Sequence, residues 1–484
     1  MKMVKSLLLG SAAGLVAVAG AQAADLPVKA KAVEYVKVCS LYGAGFYYIP
    51  GTDTCIKIGG FVRAEWDHNA AGSFAPYVDG TNGLYTRDGN VLNQRARGVV
   101  TFDTRSQTEF GTLRSYLRAG WQWTSQDATV GGSAATVYLD RAFIQIAGFT
   151  FGKTQSFFDF FCTGCYSLMT NKLWVDTGGS GTPLAAYTAQ LGNGVTATLS
   201  IEDYTEQRLP IVDANVAVAT LWPAGATQTA LNRGYNIPDI VGNIRVDQAW
   251  GSAQVMGALH NNAANYYGAA GANITSHPDE EWGWAVGAGL TLKMPWNAKD
   301  TLSGHVTYCE GAARYCSNPS AALGSGSGFG LVNEGEIGVG WIADAYYNAS
   351  SVGSQLDLTQ AFSAVAAFEH YWTPTLRTSI YGGYFEFEAN SALVDTRCTA
   401  VARVGGGTLG AGCADWSAWQ VGSRTLWNPV ANLDVGLDII YTEVDSAMKG
   451  GSYAQATDGL PPTLIVNDTH VWSGIFRVQR NFWP

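Results

Sequence analysis

The residues of this 484-residue chain whose types could do chemistry are eight cysteines, six histidines and a series of arginines. His68, His260, His277, His305, His370 and His470 are scattered, with no HExxH motif and no paired spacing, so no metal site is expected. Cys162-Thr163-Gly164-Cys165 has the spacing of a redox pair but lies in no βαβ pattern. Gly405 to Gly410 matches GxGxxG by letter only, inside a glycine-rich stretch with no helical pattern after it. No cofactor is expected. The cysteines fall into four close pairs, Cys39/Cys55, Cys162/Cys165, Cys309/Cys316 and Cys398/Cys413. In an exported chain such pairs point to disulfides closing local loops; neighbour pairing is the simplest of the connectivities left open. The arginines Arg63, Arg95, Arg97, Arg114, Arg118 and Arg141 gather in one stretch and need elements that hold them together.

Composition limits those elements. Charged residues are 14% of the chain, against about 25% in soluble domains. Glycines number 58 and aromatics make up 12%, while 47% of residues are apolar. That apolar content excludes disorder. Coiled-coil and collagen repeats are missing, as are the several apolar runs of about 20 residues that a helical membrane protein needs. Residues 1–23 read as a secretory signal: Lys2 and Lys5, an apolar stretch from Leu7 to Gly20, then Ala21-Gln22-Ala23 as the cleavage site. Its removal takes away two lysines, so the net charge of −10 becomes −12, which argues against nucleic acid as a partner. Residues 24–484 are read as a single domain, with 24–56 as an N-terminal segment.

Several segments alternate apolar and polar with period two, which marks strands with two different faces. Trp282, Trp284, Val286, Ala288, Leu290 and Leu292 alternate with Gly283, Ala285, Gly287, Gly289, Thr291 and Lys293. The stretches from Ile58 to Asp67, Val195 to Glu202, Leu433 to Thr442 and Trp472 to Gln479 alternate likewise. Runs of about ten residues suit a tilted strand crossing a bilayer, and hydrocarbon admits only helices or closed barrels. Short turns recur at 107–112, 147–152, 192–194, 249–252, 295–300, 372–375 and 427–432, with long polar segments between them. Seven short turns join fourteen strands, and a first and a last strand bring the count to sixteen. The expected fold is all-β: a sixteen-stranded antiparallel transmembrane β-barrel with long extracellular loops. Residues 311–360 are read as one long loop, with some strand character over 333–347.

Parity sets all six arginines on the polar face of the first four strands, as a positive wall that needs an offset nearby. The loop 155–183 carries Asp159 and Asp176 among Phe157, Phe158, Phe160, Phe161, Leu173 and Trp174. So apolar a loop needs cover. Folding into the lumen supplies it, narrows the pore and sets the two acids across from the arginines. In the plainer reading the arginines pair structurally with Glu65 and Asp103. Lumen-side glycines such as Gly283, Gly287 and Gly289 leave room for water or for the loop.

The chain resembles the alphaproteobacterial porins over nearly its whole length. The most specific stretches are Cys39 to Arg63 (CSLYGAGFYYIPGTDTCIKIGGFVR), Arg141 to Lys153 (RAFIQIAGFTFGK) and the Arg477 to Phe482 ending (RVQRNF). The resemblance implies homotrimers of sixteen-stranded barrels in the bacterial outer membrane, in contact with its lipid. It implies passive diffusion of small hydrophilic solutes and ions, and a third loop folded inward. By position the six arginines look like the family's basic wall, and Asp159 and Asp176 like its loop acids. Trp483 and Pro484 after Phe482, and the Cys162/Cys165 unit, depart from the family pattern. Two other readings remain: an outer-membrane barrel enzyme of lipase or protease type, for which His68 at a rim is the reachable base, and an exported soluble β-rich adhesin.

Overall fold

In the computed structural model the alternating segments pair edge to edge, because a strand facing hydrocarbon on one side satisfies its backbone only through neighbours on both edges. The structure describes residues 37–69, 92–125, 135–169, 181–205, 208–214, 231–268, 276–317, 328–333, 336–394, 414–450, 452–454 and 463–482. The signal segment, Asp176, Cys398, Cys413, residues 405–410, Trp483 and Pro484 lie outside the described residues.

Sixteen strands form a ring within the compact unit Cys39–Pro484. They are β1 Cys55–His68, β2 Leu92–Thr108, β3 Gly111–Thr124, β4 Ala135–Ile146, β5 Phe149–Thr154, β6 Thr182–Gly192, β7 Val195–Glu202 and β8 Asp239–Gln248. The second half comprises β9 Gly251–Asn262, β10 Glu281–Met294, β11 Asn297–Glu310, β12 Gln360–Thr373, β13 Leu376–Glu388, β14 Trp416–Trp427, β15 Leu433–Asp445 and β16 Thr469–Asn481. Each pairs antiparallel with the next. β16 then pairs with β1, Glu65 opposite Arg477, so no edge stays open.

The expected strand number and all seven short turns are present. Three turns read as six residues long are only two, the first being Glu109 and Phe110 between β2 and β3. The connection at 147–152 is only Ala147 and Gly148, with Phe149 to Gly152 already in β5. Gly152 is a strand glycine at φ +118°, where a Cβ would sit 2.3 Å from the Ala142 carbonyl oxygen. The connection at 295–300 is only Pro295 and Trp296. A proline cannot donate to the ladder, and pairing resumes beyond a bulge at Lys293/Met294.

Parity holds around the ring. Val62, Leu117, Trp121, Leu199, Val286, Leu437 and Trp472 are exposed on the outside, while Glu65, Arg95, Asp103, Asp438 and Arg477 are buried inside. Trp66, Trp123 and Trp282 are also exposed on that outer face.

The described residues of 311–359 add no strand to the ring. The strand character over 333–347 appears as a hairpin, Gly328–Asn333 with Glu336–Trp341, and as Ala345–Tyr347 paired with Ile211–Asp213 and Asp357–Leu358. This segment is no solvated loop. Trp341, Ile342 and Tyr346 are buried in one cluster with Phe385, Phe387 and Trp416 of β13 and β14. The Trp416 indole Nε1 donates to the Trp341 carbonyl at 2.7 Å. At the short-turn end, Tyr47–Tyr48 pairs with β1, and the Cys39–Cys55 disulfide closes a small core with Phe46. Disulfides also join Cys162–Cys165 and Cys309–Cys316.

Candidate functional site

β1 to β4 bring the six arginines onto one inner wall. Arg63 lies opposite Arg97, and Arg118 opposite Arg141. Like charges at opposed positions repel, and inward carboxylates offset them. Glu65, 1% exposed, receives Arg95 Nε at 2.7 Å and lies 3.7 Å from Arg63. Arg477, brought alongside by closure of the ring, completes that cluster. Lower down, Asp103 receives Arg105 at 2.8 Å and Arg114 at 3.0 Å. Arg118 reaches Asp140 at 3.0 Å. Arg141 donates to the Asp140 carbonyl at 2.9 Å. Arg97 donates to Gln122 and lies 5.1 Å over the Tyr138 ring.

Arg105, Arg477 and Asp140 are parts of this wall that sequence reasoning did not single out. Arg105 shares the parity of Arg95 and Arg97, so the signal was available. Arg477 joins only through a contact 412 residues along the chain. Asp140 enters through a bulge that sets Arg118 opposite Arg141 and Ala119 opposite Leu139. The extra residue breaks alternation, so Leu139 faces outward while Arg141 still faces in.

The third long connection folds inward, as the apolar composition of 155–183 predicts. Its path is described from Gln155 to Met169. The Phe157 N–H donates to Glu202 at 3.0 Å, and its carbonyl accepts from Asn243 at 2.6 Å. The Tyr204 hydroxyl donates to Glu202 at 3.0 Å and lies 2.9 Å from Ser156 Oγ. Burial, reinforced by the Glu202 carboxylate, holds its phenol well above the ordinary value, so it remains a donor. The Phe158 ring packs tilted against Tyr315, with centroids 4.8 Å apart. Asp159 is buried against β9, its carbonyl accepting from Gln254 at 3.4 Å. Tyr166 and Ser167 meet β11 and β13: the Tyr166 and Thr301 hydroxyls are 3.1 Å apart, and Ser167 donates to Tyr381 at 3.2 Å. At β15, Asp438 accepts from Ser167 Oγ at 2.8 Å, Leu168 N at 2.6 Å and Tyr381 OH at 2.6 Å. Arg477 ends the path by donating to the Leu168 carbonyl.

From Gln155 to Met169 the loop thus lines the inside from β7 round to β16, and at its far end Gly181 lies against the Arg141 guanidinium of β4. Asp159 lies on the β7–β9 side; Asp176 is outside the described residues. Asp438 is the anchor that sequence reasoning missed, since it stood in β15 only as one polar residue of an alternating run.

Of the lumen-side glycines, Gly289 makes room for the loop: a Cβ there would lie 2.2 Å from the Phe160 ring. Gly283 and Gly287 are instead close to Gly311 and to Met256 and Thr307. Gly289→Val is therefore expected to push Phe160 off the wall and to make the 156–169 segment cleavable by protease in the folded protein. Unchanged cleavage would separate the loop's position from this contact.

Neither His68 nor His260 stands in a catalytic triad among the described residues. His68 ends β1 opposite Leu92. His260 has Asp239 at 2.7 Å from Nδ1, while Asp344 lies 3.6 Å from Nε2.

Residues 25–474 match a family model described as a porin subfamily. Over 267 residues the chain is 36% identical to Porin Omp2a of Brucella melitensis, covering 51% of this chain and 64% of that one. Porin Omp2b of Brucella suis is 35% identical over 260 residues, with the same shares. The aligned stretch thus spans less than two thirds of these relatives. The outer membrane channel DcaP of Acinetobacter baumannii has a similar fold, with a TM-score of 0.56 at 14% identity, covering 90% of this chain and 99% of that one.

Proposed function

From the premise that this chain belongs to the porin family, we propose that its barrel is a passive diffusion channel of the bacterial outer membrane, passing small hydrophilic solutes and ions. The observation that carries this reading is the division of the interior. One wall, β1 to β4 with Arg477, is a charged surface; the other is covered by a pinned, largely apolar loop. Water is left to the charged side. There the arginines outnumber the carboxylates they touch, and a one-sided field orders water and orients polar solutes. Arg63, Arg95, Arg97, Arg114, Arg118 and Arg141 are the basic wall of this constriction, and Asp159 and Asp176 are its loop acids. Outer-membrane lipid surrounds the barrel, and the working assembly is a homotrimer, in line with the resemblance to the alphaproteobacterial porins. In this reading the protein is a conduit, as its family membership suggests.

The purified trimer is expected to conduct in planar bilayers, and correctly folded trimers without conductance would sink the reading. Arg97→Ala with Arg118→Ala is expected to shift the zero-current potential in a salt gradient toward cation preference, because positive charge leaves the lumen. An unchanged potential would remove these two from the constriction.

A further inference from the structure

Three disulfides stand among the described residues, and they differ in access. Cys39, Cys55, Cys309 and Cys316 are buried, none more than 1% exposed. Cys162 and Cys165, in the inward loop, are exposed. They do not lie on a free tip. Phe161 and Tyr166, on either side, are buried and stacked on each other at 5.4 Å, in a cluster with Val365, Tyr381, Ile440 and Ile475 of the inner wall. The Cys165 N–H donates to the Cys162 carbonyl at 3.1 Å, and the Ser167 N–H to the Thr163 carbonyl at 3.0 Å. The aromatics thus fix a single turn, Thr163–Tyr166, against the wall, with the disulfide on its exposed side. Exchange requires in-line access of a thiolate to a sulfur. Burial denies that access at two of the three bridges and leaves it at the third.

We propose that the Cys162–Cys165 disulfide is a modification site, exchanging with anionic low-molecular-weight thiols that enter the lumen. A solute thiolate attacks one sulfur and the Cys162–Cys165 bond breaks. A new S–S bond joins the solute to the attacked cysteine. The electron pair of the broken bond stays on the other cysteine as a thiolate, which takes a proton from water. One thiol and one disulfide give one thiol and one disulfide, so no outside oxidant is needed. The arginine wall raises the local concentration of anions and so favours the thiolate and any carboxylates it carries. Once attached to the inward loop, the solute occupies part of the water path. Attack by the freed cysteine on the mixed disulfide reverses the reaction. The site rests on the reading of the lumen as a solute path, and its test separates the two.

The oxidised, folded protein is incubated with reduced glutathione, quenched in acid and digested without reduction for mass spectrometry; single channels are recorded in parallel. The expected result is a gain of one glutathione mass at Cys162 or Cys165 and none at the other two bridges. With it comes a discrete loss of single-channel conductance that dithiothreitol restores. Protein carrying Cys162→Ser and Cys165→Ser is expected to show neither adduct nor block. A conducting channel that takes up no glutathione there, or that labels first at Cys39/Cys55 or Cys309/Cys316, overturns the site. Labelling that leaves the conductance of a conducting channel unchanged overturns its place on the path. Labelling in protein that never conducts supports the exchange site and counts against the channel.

Discussion

Glu65→Ala is expected to cost the barrel about 3–5 kcal/mol of unfolding free energy, read from urea or thermal denaturation in detergent. Glu65 is buried and receives Arg95 and Arg477 directly, with Arg63 3.7 Å away. Its loss removes the carboxylate that the three guanidinium groups share. Arg95 is itself only 3% exposed. Glu65→Gln keeps the shape and the acceptor oxygen but not the charge. It is expected to lose most of the same amount, and that separates repulsion from packing. A loss below about 1 kcal/mol would mean that lumen water screens the cluster as it does a surface pair. The surviving Glu65→Gln channels are expected to be more anion-selective, the opposite direction from the Arg97/Arg118 change.

Asp438→Ala is expected to free the inward loop. Both carboxylate oxygens are used, and removing them leaves Leu168 N and Tyr381 OH without this acceptor, while Ser167 Oγ keeps only Tyr381 OH. Each orphaned donor costs about 1–3 kcal/mol, less than additively because the loop leaves the wall before bearing the full penalty. The gain on release is conductance. Single channels are expected to show larger and noisier open states, and protease is expected to cut between residues 156 and 169 while the ring stays intact. Asp438→Asn retains one acceptor oxygen and is expected to fall between. A quiet, unenlarged channel in Asp438→Ala would mean that Phe161, Tyr166 and the Arg477 contact hold the loop alone.

Which of these contacts the sequence could reveal follows from how far apart their partners lie. The ring was legible because outward-facing Val62, Leu199, Val286 and Trp472 obey a local rule of alternation, and because turns such as Asn193-Gly194 carry their own signal: both residues have positive φ, at 50° and 73°. The inward course of 155–169 was legible from the composition of 155–183, too apolar for water. The arginines of the wall could be placed by parity within each strand. What stayed hidden depends on closure or on irregularity. Arg477 reaches Glu65 only when the last strand finds the first, Asp438 meets the loop 270 residues away, and Asp140 depends on one bulge. The burial of Trp341 and Tyr346 over β13 and β14 also escaped, because a long segment between strands reads as solvated until its aromatic partners are known.

The seam between β16 and β1 has a consequence for how the ring forms. Its pairs, Phe61 with Asn481 through His68 with Gly474, are the most distant in the chain, so their loop-closure entropy is met last. Phe482 crosses the same seam: its N–H donates to the Gly60 carbonyl at 3.1 Å, and its ring occupies the space where a Gly60 side chain would be. The Glu65 cluster straddles the seam as well. Before closure Glu65 faces only Arg63 and Arg95, and the Leu168 carbonyl has no Arg477. One late event therefore zips the backbone, seats the terminal aromatic, completes the charge cluster and fastens the end of the inward loop. A chain that stalls short of it lacks all four at once.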